Sequence, residues 1–145
     1  MWTERQQSAF EALKIALCSE KVLAYPNFDS QFILTTDASK TAVAAILSQI
    51  QDGVERAISF ASRQLNPVES RYSASELEML AVSWATRHFR CYGKQFVLRT
   101  DHAALKYMHN FAGNNSRMLR WSLRLSEFDF VVEYRLGHRS GTQML

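Results

Sequence analysis

One stretch, Phe32–Ser39 with the sequence FILTTDAS, constrains the fold of this chain more than any other. Its apolar and β-branched residues predict a strand, Phe32–Thr36, that is buried on both faces. The strand is followed by a carboxylate, Asp37, and then by the small residues Ala38 and Ser39. Because a charge directly after a buried strand is costly unless something compensates it, a divalent cation is one candidate partner for Asp37.

Two further acids occupy comparable places. The segment FVLRTD puts Asp101 directly after a second predicted strand, and SASELEMLAVSWA puts Glu78 on a predicted helix. Taken singly, such acids also serve in turns and helix N-caps, and Asp101 precedes a helix predicted from Ala103. Their joint occurrence at element ends on one sheet edge predicts a divalent-metal site built from Asp37, Glu78 and Asp101. His102 is interpreted as a structural or substrate-side residue.

The length and composition indicate one globular domain. Of 145 residues, 47% are apolar and 21% charged, and the formal charge of +3 suits a polyanionic partner without establishing one. No apolar stretch approaches membrane length, and the first residues lack the apolar core of a signal peptide. We therefore expect an intracellular protein, cytoplasmic or nuclear, that is not secreted and has no membrane partner. Cys18 and Cys91 are interpreted as free thiols.

The order of predicted elements indicates an α/β layer with a mixed sheet. A first helix is predicted from Thr3, its cap, to Glu20. Three strands follow as an antiparallel meander, with a hairpin signal at Asp52-Gly53. The predicted strands are Phe32–Thr36, Val43–Ser48, Ile58–Ala61, Gln95–Thr100 and Phe128–Tyr134. The predicted later helices are Ser75–Cys91, Ala103–Asn110 and Ser116–Ser126.

The helix after Tyr72 offers two acids, Glu76 and Glu78, which cannot share a face because residues i and i+2 point apart. At 100° per residue, Glu78 falls within the inward-facing arc and Glu76 falls on the opposite flank, beside Ser83 and Arg87, where water is expected. The inward stripe is predicted to contain Leu77, Leu80, Ala81, Trp84, Ala85 and His88.

Capping gives these two acids an alternative role. Ser73-x-x-Glu76 and Ser75-x-x-Glu78 both fit a capping box, and only one of them can start the helix. The wheel geometry favours Glu78 as the functional acid and Glu76 as the capping or solvated one.

The helix predicted from Ser116 carries three arginines, Arg117, Arg120 and Arg124, within about 60° of arc. They form either a phosphate-binding stripe or an ordinary solvated face, and the sequence leaves both interpretations open. Ser39, close to Asp37, is a further candidate for a phosphate contact through its backbone amide or its hydroxyl.

These residues also carry a resemblance. The segments FEALKIALCSEKVLAYPNFDSQFILTTDAS, SFASRQLNPVESRYSASELEMLAVSWATRHFRCYG, FVLRTDHAAL and RWSLRLSEFDFVVEYR resemble the ribonuclease H domain of gypsy-type LTR retrotransposon reverse transcriptases. The resemblance covers nearly the whole chain. It implies a ribonuclease H-like fold, a five-stranded mixed sheet flanked by helices. It also implies a connection-like N-terminal helix and linker over residues 1–28, followed by a C-terminally truncated ribonuclease H-like domain over 29–145.

The same resemblance implies a function. Asp37 in TDAS, Glu78 in the E-x-E-x-L-A motif and Asp101 in TDH match acids that hold two Mg²⁺ (or Mn²⁺) ions in that family. The implied reaction is hydrolysis of the RNA strand of an RNA–DNA hybrid by a two-metal mechanism. The implied partners are the hybrid and the polymerase portion of the same polyprotein. The sequence does not indicate an oligomeric state.

Two departures from the family pattern support an alternative. Family members continue into a helix with a fourth acid, whereas this chain has no acid after Glu133 and ends YRLGHRSGTQML. Ala42 and Ala44 also stand where the family usually has glycine. The alternative is a catalytically impaired or domesticated module that binds nucleic acid or protein.

Overall fold

The computed structural model describes residues 3–9, 11, 23–90, 94–100 and 116–134. Its strands are β1 (Phe32–Ala38), β2 (Ala42–Gln51), β3 (Val54–Gln64), β4 (Phe96–Thr100) and β5 (Phe130–Tyr134), and its helices are α1 (Ala74–His88) and α2 (Ser116–Leu125). A single 3-10 turn, Glu69–Arg71, precedes α1. The predicted helix Ala103–Asn110 and both cysteines lie outside the described residues.

The strands form one mixed sheet with the order β3-β2-β1-β4-β5. β1, β2 and β3 are successively antiparallel, whereas β4 runs parallel to both β1 and β5. Consecutive β1 residues, Ile33 and Leu34, are only 6% and 0% exposed, so the central strand is buried on both faces there. The sheet confirms the predicted five-stranded mixed architecture and its N-terminal meander.

The β2–β3 hairpin turns at Asp52 and Gly53, which have φ angles of 53° and 78°. Two successive left-handed residues are what a two-residue type I′ turn requires, and Asp-Gly is a favoured pair for it. The strands beside the turn are longer than predicted, and β3 extends over Val54–Gln64 instead of Ile58–Ala61. β3 is an edge strand with polar residues towards both ends, so an apolar pattern marks only its middle.

α1 packs against β1 and β2, and α2 packs against α1. Residues 77–83 of α1 are buried without interruption, because the sheet covers one side and α2 another. Ser83, predicted to face water, is therefore only 1% exposed. His88, predicted to face inward, is exposed near the end of the helix. The core contains Leu34, Val43, Ala45, Leu77, Met79, Leu80, Ala81, Val82, Ala85, Phe96, Leu98, Met118, Trp121, Leu125 and Phe128.

Two element boundaries differ from the sequence prediction. β1 continues to Ala38, so Asp37 lies inside the strand instead of after it. β5 begins at Phe130, and Phe128 is a core residue of the preceding turn.

At the N-terminus, residues 4–9 and 11 are helical, and the Thr3 hydroxyl accepts a hydrogen bond of 3.3 Å from the Gln6 amide, which confirms Thr3 as a cap. Within the described ranges, none of the helices has the length and apolarity needed to span a membrane.

Candidate metal site and nucleic-acid surface

Asp37 is the penultimate residue of β1 and pairs with Ala44 of β2. Its side chain is exposed, because strand alternation turns it away from the face on which Leu34 and Thr36 are buried. Its carboxylate accepts a local hydrogen bond of 2.9 Å from the Ala38 amide at Oδ1. The strand therefore presents one carboxylate to solvent near its carboxyl end.

Glu78 lies in the second turn of α1 and is only 7% exposed. The helix start explains this placement. The Ser73 hydroxyl accepts from the Glu76 amide at 3.2 Å, and Glu76 Oε1 accepts from the Ser73 amide at 3.1 Å. Ser73 and Glu76 thus form the capping box that starts the helix. The prediction that Glu76 caps and Glu78 faces inward is confirmed.

Asp101, the third predicted ligand, lies outside the described residues, as does His102. The β1–β4 ladder pairs Thr35 with Arg99, and Asp37 and Asp101 each follow one of these residues by two positions in the sequence. Among the residues that the structure does describe, no group of three or more His, Cys, Asp or Glu side chains is close enough to hold a metal. The predicted metal site and its three ligands stay a prediction.

The chemistry of the donors can still be tested against a cation. Asp37 and Glu78 offer only hard carboxylate oxygens, which suit Mg²⁺ or Mn²⁺ better than softer metals. The Glu78 carboxylate is only 7% exposed, and a cation is one kind of group that lowers the cost of burying its charge. The two residues therefore fit a hard divalent cation by donor type.

Ser39 organises the turn between β1 and β2. Its amide donates to the Ala42 carbonyl at 2.8 Å, and its hydroxyl accepts from the Thr41 and Ala42 amides at 3.2 and 3.1 Å. The backbone amide is thus engaged in the turn. The phosphate contact predicted for Ser39 stays a prediction and would have to involve its exposed hydroxyl.

The three predicted arginines of α2 have different surroundings. Arg120 and Arg124 are exposed, whereas Arg117 forms a salt bridge with Glu76 of α1. The Arg117 guanidinium carbon also lies 4.1 Å from the centre of the Tyr72 ring. That any of the three contacts phosphate stays a prediction.

Sequence reasoning missed Tyr72. Its ring packs edge-on against Trp121 of α2, with centroids 5.9 Å apart, and its carbonyl accepts a 3.3 Å hydrogen bond from Lys40 Nζ. An apolar residue directly before an N-cap such as Ser73 commonly packs against the helix that follows, which marks Tyr72 as a packed residue but does not indicate its contacts with α2.

An ion pair holds the chain that leads into α1. Arg63 donates to both Glu69 oxygens, at 2.8 and 3.1 Å, and the Asn66 amide donates to Glu69 Oε1 at 3.0 Å. The hydrogen bonds from Arg63 hold the pKa of Glu69 below its ordinary value, against the opposing effect of burial. The same pair raises the pKa of Arg63. This contact ties the end of β3 to the 3-10 turn.

Comparison with known proteins identifies the group to which the chain belongs. Residues 27–128 match the family described as the RNase H-like domain found in reverse transcriptase. The chain is 45% identical over 131 residues to the retrovirus-related Pol polyprotein from transposon 297 of Drosophila melanogaster, and 35% identical over 143 residues to the transposon Tf2-3 polyprotein of Schizosaccharomyces pombe. These matches cover 89% and 94% of this chain but only 12% and 11% of the polyproteins.

Solved structures with a similar fold include two kinds of protein. The foamy viral protease-reverse transcriptase in complex with an RNA/DNA hybrid aligns with 94% of this chain and 19% of its own, at a TM-score of 0.65 and 14% identity. RNase H1 from Halobacterium salinarum aligns with 77% of this chain and 89% of its own, at a TM-score of 0.58 and 15% identity. At these identities the likeness shows the fold. The family match shows that this chain belongs to the RNase H-like domains found in reverse transcriptase, and its sequence is similar to parts of transposon polyproteins.

Proposed function

We propose that this domain hydrolyses the RNA strand of RNA–DNA hybrids by a two-metal mechanism, as the nuclease of a gypsy-type reverse transcriptase. The observation that carries the proposal is the pair of carboxylates on two packed elements, exposed Asp37 on β1 and buried Glu78 on α1. The chain's membership of the reverse-transcriptase RNase H-like family gives this pair a reaction. The domain would act inside the cell, in the cytoplasm or nucleus, together with the polymerase portion of its polyprotein.

In this mechanism Asp37, Glu78 and Asp101 would hold two Mg²⁺ or Mn²⁺ ions. Bound there, such ions would supply activation of the attacking water and stabilisation of charge on the leaving 3′ oxygen. The chain's own contribution is orientation. Packing around α1 restricts the movement of the buried Glu78 side chain. The Asp37 side chain is exposed and can face the substrate. Without cations, three nearby carboxylates repel one another, so the site is expected to bind metal before substrate.

Substrate recognition in this proposal depends on the shape of the hybrid. The 2′-hydroxyls and the minor-groove width distinguish an RNA strand from a DNA strand without reading bases. Arg120 and Arg124, exposed on α2, would supply phosphate contacts that position the hybrid, and the Ser39 hydroxyl would supply another.

The test is cleavage of a hybrid labelled separately on each strand, with Mg²⁺, with Mn²⁺ and with EDTA. We expect the metals to support cleavage of the RNA strand alone. Asp37→Asn and Glu78→Gln should each reduce the rate by at least about 100-fold, as expected for a group that stabilises transition-state charge. Asp29→Asn, which changes an exposed acid before β1, is the matched control. Absence of metal-dependent cleavage, or equal activity of Asp37→Asn and Asp29→Asn, would contradict the proposal.

The exposed arginines Arg120 and Arg124 favour a second candidate, an impaired or domesticated module that binds nucleic acid or protein without cleaving it. Calorimetry with Mg²⁺ separates the two functions. The nuclease binds the metal, and Asp37→Asn abolishes that binding. The binding module retains salt-dependent affinity for the hybrid and shows no effect of Mg²⁺ or of Asp37→Asn.

A further inference from the structure

Four residues link three separate parts of the chain at the start of α1. Lys40, in the β1–β2 turn, donates to the carbonyl of Tyr72 at 3.3 Å. The Tyr72 ring lies 4.1 Å below the guanidinium carbon of Arg117 on α2, and Arg117 forms a salt bridge with Glu76 of α1. We refer to Lys40, Tyr72, Glu76 and Arg117 as the Tyr72 clamp.

Glu76 has two functions in the clamp. Its Oε1 accepts from the Ser73 amide at the helix start, and its Oε2 accepts from Arg117 Nη1. The same carboxylate therefore fixes where α1 begins and where α2 sits against it. Arg117 suits this position because a planar guanidinium pairs with a carboxylate at its edge and stacks on an aromatic ring with its face.

The clamp connects the two segments that carry the described acids. Lys40 is three residues after Asp37, and Glu76 is two residues before Glu78. Tyr72 is linked to both segments. Its carbonyl accepts a hydrogen bond from Lys40, and its ring contacts Arg117, which forms the salt bridge with Glu76. A change at Arg117 would therefore alter the first turns of α1 relative to β1 without removing either acid.

We propose that Arg117 is a positioning residue of the metal site, acting through Tyr72 and Glu76 to hold Glu78 in place relative to Asp37. The inference rests on the proposed function, because it gives the clamp a metal site to position. It assigns Arg117 a role different from that of its exposed neighbours Arg120 and Arg124, for which phosphate contacts are proposed.

The test measures Mg²⁺ affinity by calorimetry, with Mg²⁺ alone as the titrant and circular dichroism as the check on folding. Arg117→Lys keeps the charge but loses the planar stack, and Tyr72→Leu keeps an apolar side chain but loses the ring face. We expect each to weaken Mg²⁺ binding about 10- to 100-fold, the range for losing a group that orients metal ligands. Tyr72→Phe should bind like the wild type, because the ring forms the contact, and so should Arg120→Lys.

The outcomes are distinguishable. Wild-type Mg²⁺ affinity in folded Arg117→Lys and Tyr72→Leu would overturn the positioning role. Weaker hybrid binding with a smaller salt dependence in Arg117→Lys, at unchanged Mg²⁺ affinity, would instead assign Arg117 to phosphate contact. Failure of the wild-type chain to bind Mg²⁺ would overturn the proposed function and this inference with it. Loss of affinity in Arg117→Lys and Tyr72→Leu, with retention in Tyr72→Phe and Arg120→Lys, would support the clamp.

Discussion

Arg99 Nη1 lies 2.8 and 2.9 Å from the two carboxylate oxygens of Glu55, although β2 and β1 separate their strands in the sheet. Arg99 Nε also lies 3.2 Å from Glu133 of β5. Ser48 of β2 donates to Glu55 as well, at 3.0 Å. One arginine, only 7% exposed, thus connects β4 to both edge strands across one face of the sheet.

Removing this arginine should destabilise the fold. Arg99→Met leaves two carboxylates without their shared cation. We expect the free energy of unfolding to fall by about 2 kcal/mol, less than a fully buried pair would lose because Glu55 and Glu133 keep contact with water. Urea denaturation measures the loss, with Arg56→Met on the exposed surface of β3 as the control. Equal midpoints for the two variants would contradict the prediction.

The start of α1 provides a second prediction. Ser73→Ala removes the hydroxyl that caps the helix and should lower the free energy of unfolding by about 1 kcal/mol. Ser75→Ala tests the competing capping box that the sequence allows, and we expect it to change stability by less than about 0.5 kcal/mol. Urea denaturation of both variants decides between the two boxes. A larger loss in Ser75→Ala would place the helix start two residues later.

Acid should weaken the Arg63–Glu69 contact. Because Arg63 lowers the pKa of Glu69 in the folded state, the pair contributes stability above the unfolded pKa of about 4.3. That contribution is lost as the pH falls through the lower folded pKa. We expect Glu69→Gln to reduce the dependence of the thermal midpoint on pH below about pH 5. Glu127→Gln, on the exposed turn after α2, should keep the wild-type dependence, and an identical slope in all three proteins would be the contrary result.

Metal should stabilise the wild-type fold, because a ligand that binds only the native state adds to its stability. With Mg²⁺ well above its dissociation constant, we expect the thermal midpoint to rise by about 3 °C or more. Glu78→Gln should lose this rise, because it replaces a carboxylate ligand of the proposed metal site with an amide. A normal Mg²⁺ response in Glu78→Gln would exclude Glu78 as a ligand.

The exposed arginines of α2 should govern the salt dependence of hybrid binding. Each phosphate contact adds about one unit to the slope of log K against log salt concentration, so Arg120→Gln with Arg124→Gln should reduce it by about two. Fluorescence anisotropy with a labelled hybrid at several salt concentrations measures the slope. Arg87→Gln, an exposed arginine on α1, is the comparison variant, and an equal slope in both proteins would refute the phosphate contacts.

Local patterns in the sequence were sufficient for several features of the fold. The β-branched run predicted β1, Asp52-Gly53 predicted the hairpin, and the helical wheel predicted that Glu78 is buried. Each of these predictions depends only on residues that are close together in the sequence. The wheel was wrong for Ser83, because a periodic pattern describes one buried face, whereas α1 has the sheet on one side and α2 on another.

Contacts between distant residues could not be predicted in this way. Arg99 and Glu55 are 44 positions apart, and Arg117 and Glu76 are 41 apart. Nothing in the spacing of a single sequence indicates such pairs, because they depend on strand order and on where α2 docks. The sequence therefore predicted acids for a metal site but not the contacts that form the Tyr72 clamp.

The uninterrupted burial of residues 77–83 in α1 has an evolutionary consequence. Inserting or deleting one residue there would rotate every later side chain by about 100° and exchange core positions with one another. Residues 77–83 have no solvent-facing side, so every rotated side chain would still have to fit into the core. Length changes among related sequences should therefore fall outside α1, which is inherited as a block of fixed length.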